Sequence, residues 1–98
     1  MERSTLLIVE DEQLIALNLS LDLQDNGYHV CGIASSEKEA FDMAKQHQPD
    51  LVMMDINLGA GGDGINAAQR IGAELHIPVV YLTAYTSDDL IRRTGLTA

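Results

Sequence analysis

Three short apolar runs, each of strand length, end at carboxylates or a hydroxyl: Ile8-Val9-Glu10-Asp11, Met53-Met54-Asp55 and Tyr81-Leu82-Thr83. As parallel strands they would bring Glu10, Asp11, Asp55 and Thr83 to one edge of a single sheet. In an open parallel sheet that carboxyl edge is where ligands bind. Three acids gathered there without a basic neighbour repel one another, so the grouping calls for a cation.

The segments between these runs read as crossovers. Residues 6–9 are continuously apolar, as in a parallel strand covered on both faces. Residues 14–23 alternate at first like a strand. They are long, leucine-rich and stopped by Asn26-Gly27, which predicts a helix with Leu14, Leu17, Leu21 and Asn18 on one face. Leu19 and Leu23 then leave this helix apolar over more than half its circumference, so a second surface is covered or a patch is exposed. Residues 28–34 read as the second strand. Ser36 and Glu39 have capping-box spacing and open a helix carrying Ala40, Phe41 and Ala44. Pro49 closes it, and residues 51–54 form the third strand.

A glycine-rich loop at residues 59–64 leads into a helix over 64–75, with Ile65, Ala68, Ile71 and Leu75 at helical intervals. Residues 77–82 are the fourth strand, with Pro78 tolerated near its start. Ser87-Asp88-Asp89 caps a last short helix. Strand and helix alternate throughout. The expected fold is therefore α/β, a doubly wound parallel sheet with right-handed crossovers and helices on both faces. Residues 1–98 make one domain.

A 46% hydrophobic content with 21% charged residues suits a folded chain and argues against disorder. Fifteen acidic against six basic residues give a net charge of -9, which disfavours nucleic acid and anionic membranes and suits a cation or a basic protein partner. Cys31 stands alone in an apolar stretch and reads as a small buried hydrophobe, so no internal disulfide is expected. The apolar segment near the N-terminus is too short for a signal peptide or a membrane span, and a cytoplasmic setting follows as the expectation.

The acids match the demands of a hard divalent cation. Mg²⁺ takes oxygen ligands, keeps several waters and uses one or two carboxylates. Asp11, Asp55 and a backbone carbonyl just beyond would supply them, with Glu10 holding a metal-bound water. Thr83 offers a hydroxyl at the same edge. The glycines at 59, 61, 62 and 64 lack the dinucleotide register and the lysine of a phosphate-binding loop. His29, His47 and His76 show no metal-ligand spacing with Cys31.

The stretches Leu7-Ile8-Val9-Glu10-Asp11-Glu12, Pro49-Asp50-Leu51-Val52-Met53-Met54-Asp55-Ile56, Asp63-Gly64 and Ile77-Pro78-Val79-Val80-Tyr81-Leu82-Thr83-Ala84 resemble the receiver domain of two-component response regulators. The similarity covers almost the whole chain. It implies a flavodoxin-like receiver order 2-1-3-4-5. It also implies phosphorylation of Asp55 by a histidine kinase or phosphotransfer protein in a Mg²⁺-dependent reaction. Asp11 is then a direct ligand, Glu10 its acidic neighbour and Asn57 the donor of the backbone carbonyl. Thr83 becomes the switch hydroxyl and Ala84 the small residue beside the site. The output is a changed protein-interaction surface, with an output domain or partner protein to read it. Apart from self-phosphorylation and dephosphorylation, no enzymatic turnover is implied.

The sequence departs from this pattern in two places. The glycine loop is one residue longer than in the commonest receivers and lacks their proline. The chain stops at Ala98, before the fifth strand, the lysine and the fifth helix that the resemblance leads one to expect. On that reading the 98-residue form is an incomplete receiver whose phosphorylation is slow or absent and which is prone to self-association through strand 4. Two alternatives stand beside the phosphoacceptor reading. One is a phosphorylation-independent interaction module. The other is a small Mg²⁺-dependent phosphohydrolase, disfavoured because Asn57 stands where a second acid is needed.

Overall fold

The computed structural model describes residues 4–82. The apolar runs become strands: β1 (Thr5–Val9), β2 (His29–Ala34), β3 (Leu51–Asp55) and β4 (Val79–Leu82). All pair in parallel in the order β2-β1-β3-β4, the flavodoxin-like arrangement implied by the resemblance, over the four strands described. Leu7, Ile8, Val9, Val52 and Met54 are fully buried, so the two central strands are covered on both faces. This explains their unbroken apolar composition. A bulge between Leu6 and Leu7 leaves Cys31 without a register partner in β1. Cys31 packs half-buried against the core, and burial pushes its thiol above the ordinary range. That is the opposite of a reactive thiolate.

Helices α1 (Gln13–Asp25), α2 (Glu37–His47) and α3 (Gly64–Arg70) fill the crossovers, α3 continuing through a π-helical turn, Ile71–Leu75. As expected, α1 ends at Asn26 and turns at Gly27, which adopts φ 92. Its inner face is not the expected one. Ala16 and Ser20 are buried, with Leu19 and Leu23 partly so, while Leu14, Leu17 and Leu21 are 76%, 50% and 52% exposed. Three-and-four spacing is satisfied twice along this helix. Small residues at 16 and 20 seat it against β1 and β2, turning the second leucine stripe outward.

In α2 the Ser36 Oγ accepts the Glu39 N–H at 3.1 Å, as capping-box spacing predicts. The return bond is displaced by one residue, because Glu39 accepts from the N–H and hydroxyl of Ser35. Ala40 and Ala44 are fully buried. Phe41 lies at the rim, with the Arg70 guanidinium 4.4 Å above its ring. Thr83, Ala84 and the helix expected from Ser87 lie outside the described residues.

Candidate acidic site at the carboxyl edge

Pairing of Val9 with Met54 sets Glu10 level with Asp55, each one step beyond the matched residues. The Glu10 N–H donates to the Ala34 carbonyl at 2.9 Å, fastening the end of β1 to the end of β2. Asp55 itself pairs with Leu82, so the residue after Leu82 in the chain is Thr83. The sheet register therefore brings Glu10 and Asp55 to one edge, as the sequence implied, while Thr83 itself lies outside the described residues.

Glu10, Asp11 and Asp55 each place a carboxylate oxygen within 4.8 Å of the others. Among the described residues no other group of three acids, histidines or cysteines gathers in this way. The three line a cleft of about 160 Å³ together with Asn57 and Gly59. Glu10 is 4% and Asp55 6% exposed, whereas Asp11 is open to solvent. The two ion pairs among the described residues, Lys38–Asp42 and Arg70–Glu74, lie elsewhere.

The loop after β3 completes the cleft. Asp55 Oδ1 accepts the Asn57 N–H at a long 3.4 Å, a weak bond. Asn57 turns its own Oδ1 back to the Gly59 N–H at 2.9 Å. With the side chain used locally, the backbone carbonyl is the oxygen this residue has to offer. Residues Gly59–Gly61 form a single 3₁₀ turn, and Asn57 forms an antiparallel bridge with Asp63. Asp63 then caps α3, its Oδ1 accepting the Ile65 N–H at 2.9 Å.

Burial is the main force on Glu10, raising its carboxyl from the ordinary 4.5 to about 7. The Glu12 N–H, donated at 3.1 Å, works against this, and the charge of Asp55 adds to it. The folded state therefore holds a proton on Glu10 that the unfolded chain has released between these two values. Without metal, stability is greatest below about pH 4.5 on this account and falls as pH rises through about 7. Screening by the solvent that reaches the open Asp11 side holds the loss to roughly 1–3 kcal/mol. Urea unfolding in chelator should show the decline between about pH 4.5 and about pH 7, and Glu10→Gln should flatten it. An unchanged slope in the variant would assign the pH dependence to another group.

The donor set, all hard oxygens and rich in negative charge, fits a Mg²⁺-like cation. Four of the five residues singled out from the sequence, Glu10, Asp11, Asp55 and Asn57, share the cleft, and the fifth, Thr83, lies outside the described residues. Glu37 was missed. Its carboxylate reaches from α2 to Asp63 and Asn66, a contact across the fold that leaves no local pattern in the sequence.

The sequence profile described as the response regulator receiver domain matches residues 6–96. The chain is 42% identical over 87 residues to the transcriptional regulatory protein PdtaR of Mycobacterium tuberculosis, an alignment covering 89% of this chain and 42% of PdtaR. It thus spans less than half the length of that relative. Among solved structures, it superposes on the signal receiver domain of a modulated diguanylate cyclase from Desulfovibrio desulfuricans G20. The TM-score is 0.84 at 31% identity, covering 96% of this chain and 75% of that one. The anti-anti-sigma factor PhyR from Bartonella quintana, crystallised with the anti-sigma factor NepR, gives a TM-score of 0.77 at 36% identity. That match covers 88% of this chain and 36% of PhyR.

Proposed function

The chain belongs to the response regulator receiver domain family of two-component signalling, and from that premise we propose that it accepts a phosphoryl group on Asp55. The donor is a histidine kinase or phosphotransfer protein. The observation that carries this reading is the meeting of Glu10, Asp11 and Asp55 at the end of the sheet, with Asp55 Oδ1 accepting the Asn57 N–H only at a long 3.4 Å.

An oxygen of the Asp55 carboxylate attacks phosphorus in line. An oxygen–phosphorus bond forms, the donor's bond to phosphorus breaks, and the bonding electron pair leaves with the donor. Asp11, Asp55 and the Asn57 carbonyl would hold Mg²⁺, with Glu10 on a metal-bound water. When bound, the ion neutralises the carboxylates and the charge of the incoming phosphoryl group. Glu10, largely withdrawn from water, ionises more readily when a cation is there to offset its charge.

The acyl phosphate adds charge and strong acceptor oxygens at the end of β3. Thr83, next in the chain after the Asp55-paired Leu82, is the hydroxyl that answers it. The result is a shift between two surface states, read by an output domain or partner protein, and no small substrate is turned over. The likeness to PhyR, which was crystallised with an anti-sigma factor, supports a protein partner. Among the described residues no helix is long and apolar enough to cross a membrane, and a cytoplasmic location fits this role.

The test is to incubate the protein, at the length its gene encodes, with a small phosphodonor such as acetyl phosphate and Mg²⁺. Intact mass should rise by one phosphoryl group, fragmentation should place it on Asp55, and chelator should prevent it. No uptake from either acetyl phosphate or a phosphorylated kinase would leave the phosphorylation-independent interaction module as the reading.

A further inference from the structure

Glu37 stands in the first turn of α2, outside the acidic cleft, yet its carboxylate is committed to the opposite loop. Oε1 accepts the Asp63 N–H at 3.1 Å, and Oε2 accepts from the Asn66 side-chain amide. Neither partner is a cation, and the ion pairs of α2 and α3 among the described residues use Lys38 and Arg70 with other acids. A helix N-terminus favours a carboxylate at this position, and charge-assisted bonds to amide N–H groups are stronger than neutral ones.

The loop is shaped to receive it. Gly62 has φ 118, and a Cβ there would come within 2.9 Å of Glu37 Cβ. A Cβ on Gly61 would lie 2.9 Å from the Ser35 carbonyl oxygen. These two glycines let the loop lie directly against the start of α2. From Asp63 the connection runs to the cleft, because Asp63 bridges to Asn57, and Asn57 Oδ1 holds the Gly59 N–H. Gly59 in turn sits close to Asp11, since a Cβ there would meet Asp11 Oδ2 at 3.3 Å.

We propose that Glu37 is a positioning residue for the acidic cleft: by clasping Asp63 and Asn66 it fixes the residue 57–63 loop so that the Asn57 carbonyl is already in place when a divalent cation arrives. This rests on the cation-binding part of the proposed function. Glu37 touches neither the cation nor the phosphoryl group, and it acts through the backbone of the loop.

The experiment compares the full chain with E37A and E37Q in two measurements. Hydrogen exchange of the loop amides is followed in chelator, and Mg²⁺ affinity is measured by calorimetry. E37A should exchange faster at residues 59–63 while β1 and β3 keep their protection, and it should bind Mg²⁺ about tenfold more weakly. E37Q removes the charge but keeps an acceptor for the Asp63 N–H, and Asn66 can present its amide the other way round. It should therefore recover most of the affinity and most of the loop protection.

Equal weakening in both variants would assign the effect to lost charge and overturn the positioning role. Wild-type affinity in E37A would overturn it as well. Faster exchange throughout β1 and β3 in E37A would make Glu37 a general stabiliser and also refute it. Failure of the unaltered chain to take up Mg²⁺ would instead remove the cation site itself, together with this inference.

Discussion

Asp55→Asn is expected to abolish phosphoryl uptake completely while leaving the metal-free protein more stable than the original. The amide oxygen lacks the negative charge of a nucleophilic carboxylate, so no acyl phosphate forms at this position. Its carbonyl can still accept the Asn57 N–H that Asp55 Oδ1 accepts, and the local backbone has no reason to change. One of three converging charges disappears from a place only 6% exposed. The charge of Asp55 is also one of the causes raising the Glu10 carboxyl, so Glu10 ionises more easily in the variant.

Metal-free stability near neutral pH should therefore rise by about 1 kcal/mol, and Mg²⁺ affinity should fall by at least about tenfold. Mass spectrometry, urea unfolding in chelator and calorimetry read the three effects separately. Phosphoryl uptake by the variant at the original rate would move the acceptor to another side chain. A metal-free loss of stability would show that the carboxylate is not under repulsion.

The acidic cleft was legible in the sequence because strand ends are simple to read. Unbroken apolar runs at 6–9 and 51–54 stop at acids, and parallel pairing of Val9 with Met54 then brings those acids level. The strand order was not legible from pattern; it followed from resemblance to the family. The packed face of α1 was not legible either. Residues 14, 17 and 21 satisfy helical spacing as well as 16, 19, 20 and 23 do, and leucine looks like the better core residue. The sheet prefers the small side chains of Ala16 and Ser20, which allow a close approach.

Glu37 marks a different limit. Its partners are 26 and 29 residues away in sequence, and nothing within α2 distinguishes it from Glu39, which serves only its own helix cap. Local patterns report caps, periods and turns. Ties between a helix and a distant loop appear only once the chain is folded.

Two glycine-to-alanine changes in the same helical segment should act with opposite signs. Gly64 begins α3 directly behind the end of β3, donating its N–H to the Ile56 carbonyl at 2.8 Å. A Cβ there would overlap the Asp55 carbonyl oxygen and lie 2.9 Å from Ile56 Cα. These are backbone atoms of the residues that set the cleft, so relief requires moving α3 away from the end of β3. Gly64→Ala should cost about 3 kcal/mol, lowering the melting temperature by roughly 15 °C in a domain of this size. The displaced Asp55 should lose Mg²⁺ uptake under conditions where the variant remains folded. Gly72 lies about two turns further on, and among the described residues a Cβ there meets nothing within 4 Å. Its φ is not in the left-handed region, so Gly72→Ala removes only the excess freedom of the unfolded chain. It should stabilise by about 0.5–1 kcal/mol and leave Mg²⁺ binding unchanged. Paired thermal melts and calorimetry decide the matter. A Gly64→Ala protein as stable as the original would mean that α3 does not press on the strand carrying Asp55, and the tight seating of the loop between them would have to be abandoned.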